Sequence, residues 1–424
     1  MTPECCDELA RTSALSRRRF LGGMAAAGTA AVTTSVFGDA LLQASYGATP
    51  GGNVLVVLSF RGGIDGLGVV VPHGDAGYAA ARPTIKVPTA SLIAKDSMFG
   101  LHPELQPLQW AWDSKELAVV NAVGLPVANR SHFAATELVE DADPSSSLRR
   151  GWVNRMVGLN ASPAPIDAIA LGTTIPPTMV EGAAPSVAAS ELGDIVLAGA
   201  EQPGTWSTRR TTALRTMWAG AGGPLGSAFR ATDSTVGTIS PVAQADYAPT
   251  VPYPDDWPGT DLARALEDAA RLIKADIGTQ VITVDFGGWD MHTGYGTLEW
   301  GRMQSQLGAF AGAVSAFLQD LGALRSRVTL ATISEFGRRL AENGSQGLDH
   351  GWGNMMLLMG AGVKGGQYHG TWPGLENNGQ RDDDLAVTTD YRQVLGEIVH
   401  KRFPEKDVTQ VFPGLSYAPI GVLA

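Results

Sequence analysis

The stretch Val281-Ile-Thr-Val-Asp-Phe-Gly-Gly-Trp-Asp-Met-His-Thr293 decides how we interpret the fold. Its first four residues are β-branched and mostly apolar, which predicts a buried strand. The pair Gly287-Gly288 then allows a sharp turn, and Asp290 and His292 follow it. In open α/β sheets, ligands bind beyond the carboxyl ends of the strands. We therefore expect these two side chains to lie where a metal ion could bind. The alternative is that Asp290 forms a turn and His292 is an ordinary surface histidine.

The chain has 424 residues, of which 44% are hydrophobic and 17% are charged. This length is enough for one large α/β domain or two modest ones. The formal net charge of -11 argues against nucleic acids and anionic membrane surfaces as partners.

The N-terminal region has the features of a targeting segment. Ser16-Arg17-Arg18-Arg19-Phe20-Leu21 is a twin-arginine signature, and an Ala/Gly-rich, weakly apolar stretch follows over 22–37. We predict that residues 1–48 are a twin-arginine signal peptide, recognised by the twin-arginine translocase, and that the mature protein is periplasmic or secreted. A membrane anchor is the alternative, although glycines and threonines weaken its insertion. Cys5 and Cys6 precede the arginines, so the mature chain would carry no disulfide and no cysteine-ligated metal.

After residue 48 the pattern alternates between apolar strands and amphipathic helices. This rhythm predicts an α/β fold: a doubly wound, mostly parallel sheet flanked by helices, in one domain over 49–424. For the helix over 261–277 we expect Asp261 as N-cap and Gly278 as C-cap. The pattern weakens over 173–258, which we interpret as an inserted cap or rim over the sheet.

Polar side chains follow several of the predicted strands, and one more stands in a glycine-flanked loop. Carboxyl ends of parallel strands share one edge of a sheet, so we expect these groups to converge. Mixed Asp, Glu and His ligands suit zinc or manganese better than magnesium or calcium, and one or two ions would fit. Two ions would clamp an anionic group and activate a serine between them. The residues are Asp65, Ser131, Asp290, His292, Glu335 and His350.

Simpler roles remain open for several of these residues. Asp65 could form a turn, and Ser131 could only cap a helix. Arg130 and Arg338 could bind an oxyanion or make structural salt bridges. A metal-free Ser-His-Asp triad has less support, because Ser131 and His132 are adjacent on a helix and do not face each other.

Five motifs together resemble the domain-of-unknown-function 1501 family, exported bacterial proteins of the alkaline-phosphatase-like superfamily. Their order matches the family's and they extend over nearly all of the chain after residue 48. The resemblance implies a doubly wound fold with a metal site at the strand ends. The family itself has no well-established reaction, whereas the superfamily contains phosphatases, phosphodiesterases, sulfatases and phosphomutases. The motifs are Leu58-Ser-Phe-Arg-Gly-Gly-Ile-Asp-Gly-Leu67, Asn129-Arg-Ser-His-Phe133, Gly287-Gly-Trp-Asp-Met-His292, Ser334-Glu-Phe-Gly-Arg338 and Asp349-His-Gly351.

The resemblance also implies roles for individual residues. Asp65 takes the place of the first-strand metal ligand, and Ser131 that of the nucleophile at a helix N-terminus. Asp290, His292 and His350 resemble the ligands of one ion. Glu335 takes a strand-end position where the superfamily usually has Asp followed by His. Phe336 stands here instead, so His132 replaces the missing imidazole or the site holds a single ion.

These observations lead to one hypothesis and two alternatives. The hypothesis is an exported, metal-dependent hydrolase of phosphate or sulfate esters, acting on an anionic small molecule or polymer. Ser131 would be the nucleophile, and Arg130 or Arg338 would stabilise the transition state. The alternatives are a non-catalytic secreted binding or assembly protein and a metal-free serine esterase. The metal ligands of the hypothesis are Asp65, His132, Asp290, His292, Glu335 and His350.

Overall fold

The computed structural model describes residues 51–146, 148–197, 204–375, 380–381 and 383–424. The predicted signal peptide, residues 1–48, lies outside the described residues. None of the described helices is long and apolar enough to cross a membrane.

Strands and helices alternate along the described chain. The strands are β1 (Val54–Phe60), β2 (Val70–Val71), β3 (Gly100–Leu101), β4 (Leu117–Gly124), β5 (Ala168–Leu171), β6 (Val187–Ala189), β7 (Val281–Phe286), β8 (Val328–Ser334), β9 (Asn354–Gly360), β10 (Tyr368–His369), β11 (Gln380–Arg381), β12 (Asp384–Leu385) and β13 (Thr389–Asp390). The α-helices are α1 (Gly66–Val69), α2 (Ala76–Ala81), α3 (Gln109–Asp113), α4 (His132–Asp141), α5 (Trp152–Gly158), α6 (Thr205–Trp218), α7 (Gly223–Gln244), α8 (Thr260–Ala275), α9 (Arg302–Asp320), α10 (Tyr391–Arg402) and α11 (Val408–Val411).

A nine-stranded sheet forms the centre of the described structure. Its order is β10-β4-β9-β8-β1-β7-β5-β6, and β13 also pairs with β4. β1 pairs in parallel with both β7 and β8. β9 is the exception, because it runs antiparallel to β4 and to β8 on either side. The predicted doubly wound, mostly parallel α/β fold is confirmed.

Strand β1 shows how helices cover both faces of the sheet. Its side chains alternate between two buried cores, as the two-residue period of a strand requires. Val56 packs with α8 and α9 on one face. Leu55 packs with α5 and α10 on the other. A strand buried on both faces is continuously apolar, which is why β1 could be predicted from its composition.

The capping of α8 differs from the prediction. The N-cap is Gly259, so Asp261 lies within the first turn, where a carboxylate favours the helix dipole. The C-cap is Asp276 in the left-handed conformation with φ 50°, which aspartate tolerates better than most residues. Gly278 lies beyond it. Both predicted caps were therefore wrong by two positions.

The segment 173–258, predicted as an inserted cap or rim, does not form one layer over the sheet. β6 pairs in parallel with β5, so it extends the edge of the sheet. Helix α7, which we did not predict, packs against α8, and its Ile239 is fully buried in the core beneath. This part of the segment belongs to the body of the fold. The assignment of the whole segment as an inserted cap or rim stays a prediction.

Candidate metal centre

The direction of the strands brings distant residues to one edge of the sheet. β1, β4, β7 and β8 end at the same edge, because β9 is antiparallel to both β4 and β8. Helix α4 follows β4 and begins at His132, and the loop with Asp290 and His292 follows β7. Since β9 runs in the opposite direction, the residues before it, including His350, also arrive at this edge.

Three imidazoles and one carboxylate converge there. His350 Nε2 lies 3.0 Å from His132 Nε2 and 3.0 Å from His292 Nε2. Asp290 Oδ1 lies 3.0 Å from His292 Nε2, 3.3 Å from His350 Nε2 and 3.6 Å from His132 Nε2. Ligand atoms around a tetrahedral zinc ion with bonds near 2.0–2.1 Å are about 3.3 Å apart. His132, Asp290 and His350 are therefore close enough to hold a metal ion together.

The second nitrogen of each ring determines where its proton lies. His132 Nδ1 contacts Glu335 Oε1 at 2.8 Å, His292 Nδ1 contacts Asp349 Oδ1 at 2.7 Å, and His350 Nδ1 contacts the carbonyl oxygen of Arg130 at 2.8 Å. Carbonyl and carboxylate oxygens accept hydrogen bonds, so Nδ1 is the donor in each ring. The Nε2 atom of each ring is then the one that could bind a metal ion. These three Nε2 atoms point toward the same place as Asp290 Oδ1.

The titration of two of these groups favours the unprotonated forms. Burial lowers the pKa of His350 below the ordinary value for histidine, which keeps its ring neutral. Burial alone would raise the pKa of Asp290, but the hydrogen bond and charge of Arg338 outweigh this and lower the pKa to about 2. Metal ligands must be deprotonated to bind. Both groups meet this requirement at neutral pH.

Arg338 makes hydrogen bonds to several of the loops that carry the cluster. Its buried guanidinium donates to Asp290 Oδ1 at 2.7 Å. It also donates to the carbonyl oxygens of Gly62, Gly63 and Leu348. These contacts join the segments after β1 and β7 to the segment that precedes His350. These contacts hold the guanidinium in place and use most of its N–H groups. We predicted that Arg338 could bind an oxyanion, and few of its donors are left for that role.

Glu335 contacts the cluster from outside. Its Oε1 accepts hydrogen bonds from His132 Nδ1 and from the backbone N–H of Gly62, both at 2.8 Å. We predicted Glu335 as a direct ligand, but the structure places it behind His132, where it orients the ring. Phe336 is buried and packs against the rings of His132 and His350 at centroid distances of 4.7 and 4.9 Å. Phe336, which stands where the superfamily usually has a histidine, thus packs against the imidazoles of His132 and His350.

The structure does not bring Asp65 into the cluster. Both of its carboxylate oxygens accept from Arg82, at 2.6 and 2.9 Å. Tyr295 donates its hydroxyl to the same carboxylate at 2.6 Å. All three side chains are buried. Burial of a carboxylate requires such partners, and they occupy the atoms that a metal would need. The metal-ligand role predicted for Asp65 has no geometric support.

Ser131 and Arg130 lie beside the cluster. Ser131 is exposed at the N-cap position of α4, and its side chain makes no capping hydrogen bond. It directly precedes His132 in the sequence. Arg130 donates from Nε and Nη2 to Asp384, while its carbonyl oxygen accepts from His350. The predicted oxyanion role of Arg130 would require its remaining Nη1.

Two residues of the site were missed by sequence reasoning. Asp349 orients His292 through the contact described above, and its position directly before His350 was the available signal. Arg302 donates to the carbonyl oxygens of Gly288 and Asp290, at 2.9 and 3.3 Å. It lies at the start of α9, and no pattern in the sequence pointed to it.

Fold and site together define a doubly wound α/β protein with an imidazole-rich cluster at the carboxyl edge of its sheet. Residues 260–396 match the model of the family described as "Protein of unknown function (DUF1501)". The resemblance to this family is confirmed over that range, which contains Asp290, His292, Glu335 and His350. A search of curated proteins gave no match.

Several solved structures are similar to this chain at low sequence identity and with low TM-scores. The C-terminal periplasmic domain of EcEptC from Escherichia coli, in complex with Zn, is 11% identical with a TM-score of 0.34, and the match covers 77% of each chain. The PsFucS1 sulfatase from Pseudoalteromonas sp. is 11% identical with a TM-score of 0.37, over 88% of this chain and 72% of the sulfatase. A protein in the alkaline phosphatase superfamily from Vibrio parahaemolyticus is 11% identical with a TM-score of 0.32, over 80% and 68%.

Proposed function

We propose that this protein is an exported, metal-dependent hydrolase of phosphate or sulfate esters with Ser131 as its nucleophile. The observation that carries the proposal is the convergence of three imidazole Nε2 atoms and Asp290 Oδ1 at the carboxyl edge of the sheet. Carboxylate or carbonyl partners behind each ring are typical of metal-ligating histidines. Among the described residues, His132, His292, His350 and Asp290 would hold the ion.

The ligand set supports one ion, and zinc before manganese. His132, Asp290 and His350 supply two nitrogens and one oxygen close enough to share one ion, and His292 Nε2 lies 3.0 Å from both His350 Nε2 and Asp290 Oδ1. Such a mixture of ligands suits zinc. The groups that a second ion would need are engaged elsewhere: Asp65 with Arg82, and Glu335 with His132 and Gly62. A divalent ion at this place supplies positive charge that polarises an ester oxygen and lowers the pKa of a neighbouring hydroxyl.

The place of Ser131 at the N-terminus of α4 supports its assignment as nucleophile. The first N–H groups of a helix have no intrahelical partner, and the helix dipole favours an anion near its N-terminus. An ester bound there would lie against α4, next to the Ser131 hydroxyl. The Oγ atom would form a bond to phosphorus or sulfur while the bond to the leaving alcohol breaks. Water would then release the phosphate or sulfate from Ser131.

Substitution of Ser131 tests the proposal. We expect Ser131→Ala to lower the turnover of p-nitrophenyl phosphate or sulfate esters at least about a thousandfold, while the zinc content is unchanged. Elemental analysis of the same preparation measures the metal. Ser145→Ala, in an exposed loop where the hydroxyl donates to Asp143, is the matched control and should retain activity. Survival of activity in Ser131→Ala would overturn the nucleophile assignment.

A second candidate is a secreted binding or assembly protein that keeps the metal without hydrolysing esters. The observation that favours it is the engagement of Arg130 with Asp384 and of Arg338 with backbone carbonyls and Asp290. Arg338 is committed to these contacts, and of the Arg130 donors only Nη1 makes no contact with Asp384. Stoichiometric zinc without turnover of any phosphate or sulfate ester would support this candidate.

The exported location is part of the proposal and rests on the twin-arginine signature. Replacing Arg17 and Arg18 by lysine should retain the protein in the cytoplasm if that signal is used. Fractionation of cells that express the full chain measures this directly, and unchanged export would contradict the twin-arginine route.

A further inference from the structure

A cavity lies at the amino edge of the sheet, opposite to the candidate metal centre. Its volume is about 520 Å³, within the range of small-molecule sites, roughly 300–1,000 Å³. The start of β1, the residues before β7 and the last turns of α8 and α10 line it. Strand β1 is seven residues long, so about 20 Å of sheet separates the cavity from the imidazole cluster. A ligand here would not touch the metal centre.

Arg402 gives this cavity a guanidinium that contacts only neutral groups in the described chain. Its Nη2 donates to Asn53 Oδ1 at 2.6 Å and to the carbonyl oxygen of Ser326 at 3.4 Å. Its Nε is buried and has no hydrogen-bond partner among the described residues. Burial lowers the pKa of Arg402 from its ordinary value. A bound anion would therefore interact with a cation that is already partly removed from water, where charge pairs are stronger.

Two further cations at this edge have carboxylates beside them. Arg327, which also lines the cavity, donates from Nη2 to Asp276 Oδ1 at 2.7 Å. Lys406 lies in the wall, where burial lowers its pKa and the negative charges of Glu405 and Asp167 oppose that shift. The guanidinium described above is the cation at this edge for which the described chain provides no carboxylate in contact.

Two buried polar groups that border the cavity also lack partners in the described chain. Thr279 is 7% exposed and Gln280 is 8% exposed. Neither Thr279 Oγ1 nor Gln280 Oε1 makes a hydrogen bond there. Buried polar side chains normally have at least one partner. A ligand with polar atoms would provide partners at this wall of the cavity.

We propose that this cavity binds a small carboxylate ligand whose apolar part packs against Ile277, Phe403 and Pro404. These three residues line the cavity together with Arg402. A carboxylate matches the planar fork of a guanidinium. The negative charges of Asp276 and Glu405 at the same cavity would repel a dianion more strongly than a monoanion. The site is independent of the proposed hydrolysis.

Calorimetry with benzoate tests the proposal, and benzamide is the neutral probe of the same shape. The protein is first treated with a chelator and dialysed, so that no metal ion can bind the carboxylate. We expect one benzoate per chain, bound at least about tenfold more tightly than benzamide, because a hydrogen bond to a charged partner is stronger than a neutral one. Inorganic phosphate should bind more weakly than benzoate.

Two variants locate the bound probe. Arg402→Gln should weaken benzoate binding at least about tenfold and leave benzamide binding unchanged. Arg264→Gln removes the same charge at a position on α8 whose side chain is 63% exposed, and should have no effect. Ala161→Trp keeps Arg402 and its contact with Asn53. Because Ala161 is an exposed residue of the cavity lining, the larger side chain should occupy the cavity and block both probes.

Several outcomes would overturn this assignment. They are the absence of binding at millimolar benzoate, equal affinities for benzoate and benzamide, tighter binding of phosphate than of benzoate, and full benzoate affinity in Arg402→Gln or Ala161→Trp. Ser131→Ala should bind benzoate as tightly as the unmodified protein does. A weaker affinity in Ser131→Ala would place the probe at the cluster and contradict a site at the amino edge.

Discussion

At the scale of single residues, the role of a side chain depends on which atom of its neighbour it reaches. Glu335 contacts Nδ1 of His132, so it orients the ring of His132 and does not itself lie among the Nε2 atoms of the cluster. Asp65 is held by Arg82, 17 residues further along the chain. A sequence shows which residue types follow the strands, but it does not show which of their atoms meet. For this reason the sequence could predict that Asp290, His292 and His350 lie near one edge of the sheet, whereas it could not predict the contacts of Asp65 with Arg82 and of Glu335 with His132.

Removal of one central ligand should release the metal. His350 is within 3.3 Å of three other ligand atoms, so we expect His350→Ala to reduce bound zinc to a small fraction of one per chain. His369→Ala is the control, because the Nε2 of that ring contacts the carbonyl oxygen of Lys364 and not the cluster. Elemental analysis of both variants measures the effect. Full zinc content in His350→Ala would contradict the ligand assignment.

The outer contact of His132 should influence affinity without abolishing binding. Glu335→Gln keeps an oxygen that can accept from Nδ1 but removes the negative charge that strengthens the ring as a ligand. We expect zinc affinity to fall by about 10–100-fold, measured by competition with a chromophoric chelator. The Glu342→Gln variant, whose parent carboxylate binds Thr84 and Ile85, controls for loss of charge. An effect as large as that of His350→Ala would instead indicate that Glu335 is itself a ligand.

At the scale of elements, strand β9 decides whether the centre can form. It runs opposite to β4 and β8, so the segment before it, and not the one after it, reaches the carboxyl edge of the sheet. The apolar composition of Asn354–Gly360 is typical of a strand, but composition contains no information about strand direction. Helix α7 was missed for a related reason. Its glycines, threonines and prolines disfavour a helix locally, and packing against α8 stabilises it.

Arg338 connects these elements, and its removal should destabilise them together. The side chain is 2% exposed and donates to groups from three separate segments. We expect Arg338→Met to lower the free energy of unfolding by about 3–5 kcal/mol, because it leaves the carbonyl oxygens and Asp290 without their partner. Urea denaturation in the presence of a chelator measures this without a contribution from metal. Arg339→Met, at a more exposed neighbouring position, should cost less than about 1 kcal/mol.

At the scale of the whole molecule, fold and site differ in how strongly the sequence constrains them. The sheet follows from runs such as β1, which is buried on both faces and therefore apolar throughout. The site depends on contacts between residues more than a hundred positions apart, such as His132 with Glu335. Parallel topology is the link between them, because it places the strand ends together. That is why the edge of the sheet at which the site lies could be predicted, while the contacts among its side chains could not.

The dependence of stability on pH should report a buried histidine outside the metal centre. His102 is 2% exposed, and burial lowers its pKa to about 4, with Asp65 opposing the shift. Its Nδ1 accepts from the backbone N–H of Glu104 and so is unprotonated in the fold. The unfolded chain binds this proton with a pKa near 6.5. The contribution of neutral His102 is therefore complete above pH 6.5 and is lost as the pH falls toward 4, an effect on the order of 3 kcal/mol.

The variant His102→Asn isolates this contribution, because asparagine can still accept the hydrogen bond from Glu104 but does not titrate. Free energies of unfolding would be measured by urea denaturation from pH 8 to pH 4.5, with chelator present so that the metal ligands contribute equally to both proteins. We expect the stability of the unmodified protein to fall more steeply than that of the variant below pH 6.5. Parallel curves would mean that His102 is already protonated in the folded state, or that its pKa is close to that in the unfolded chain. In either case the interior beside Asp65 would be more polar than the packing of Arg82 and Tyr295 around that carboxylate implies.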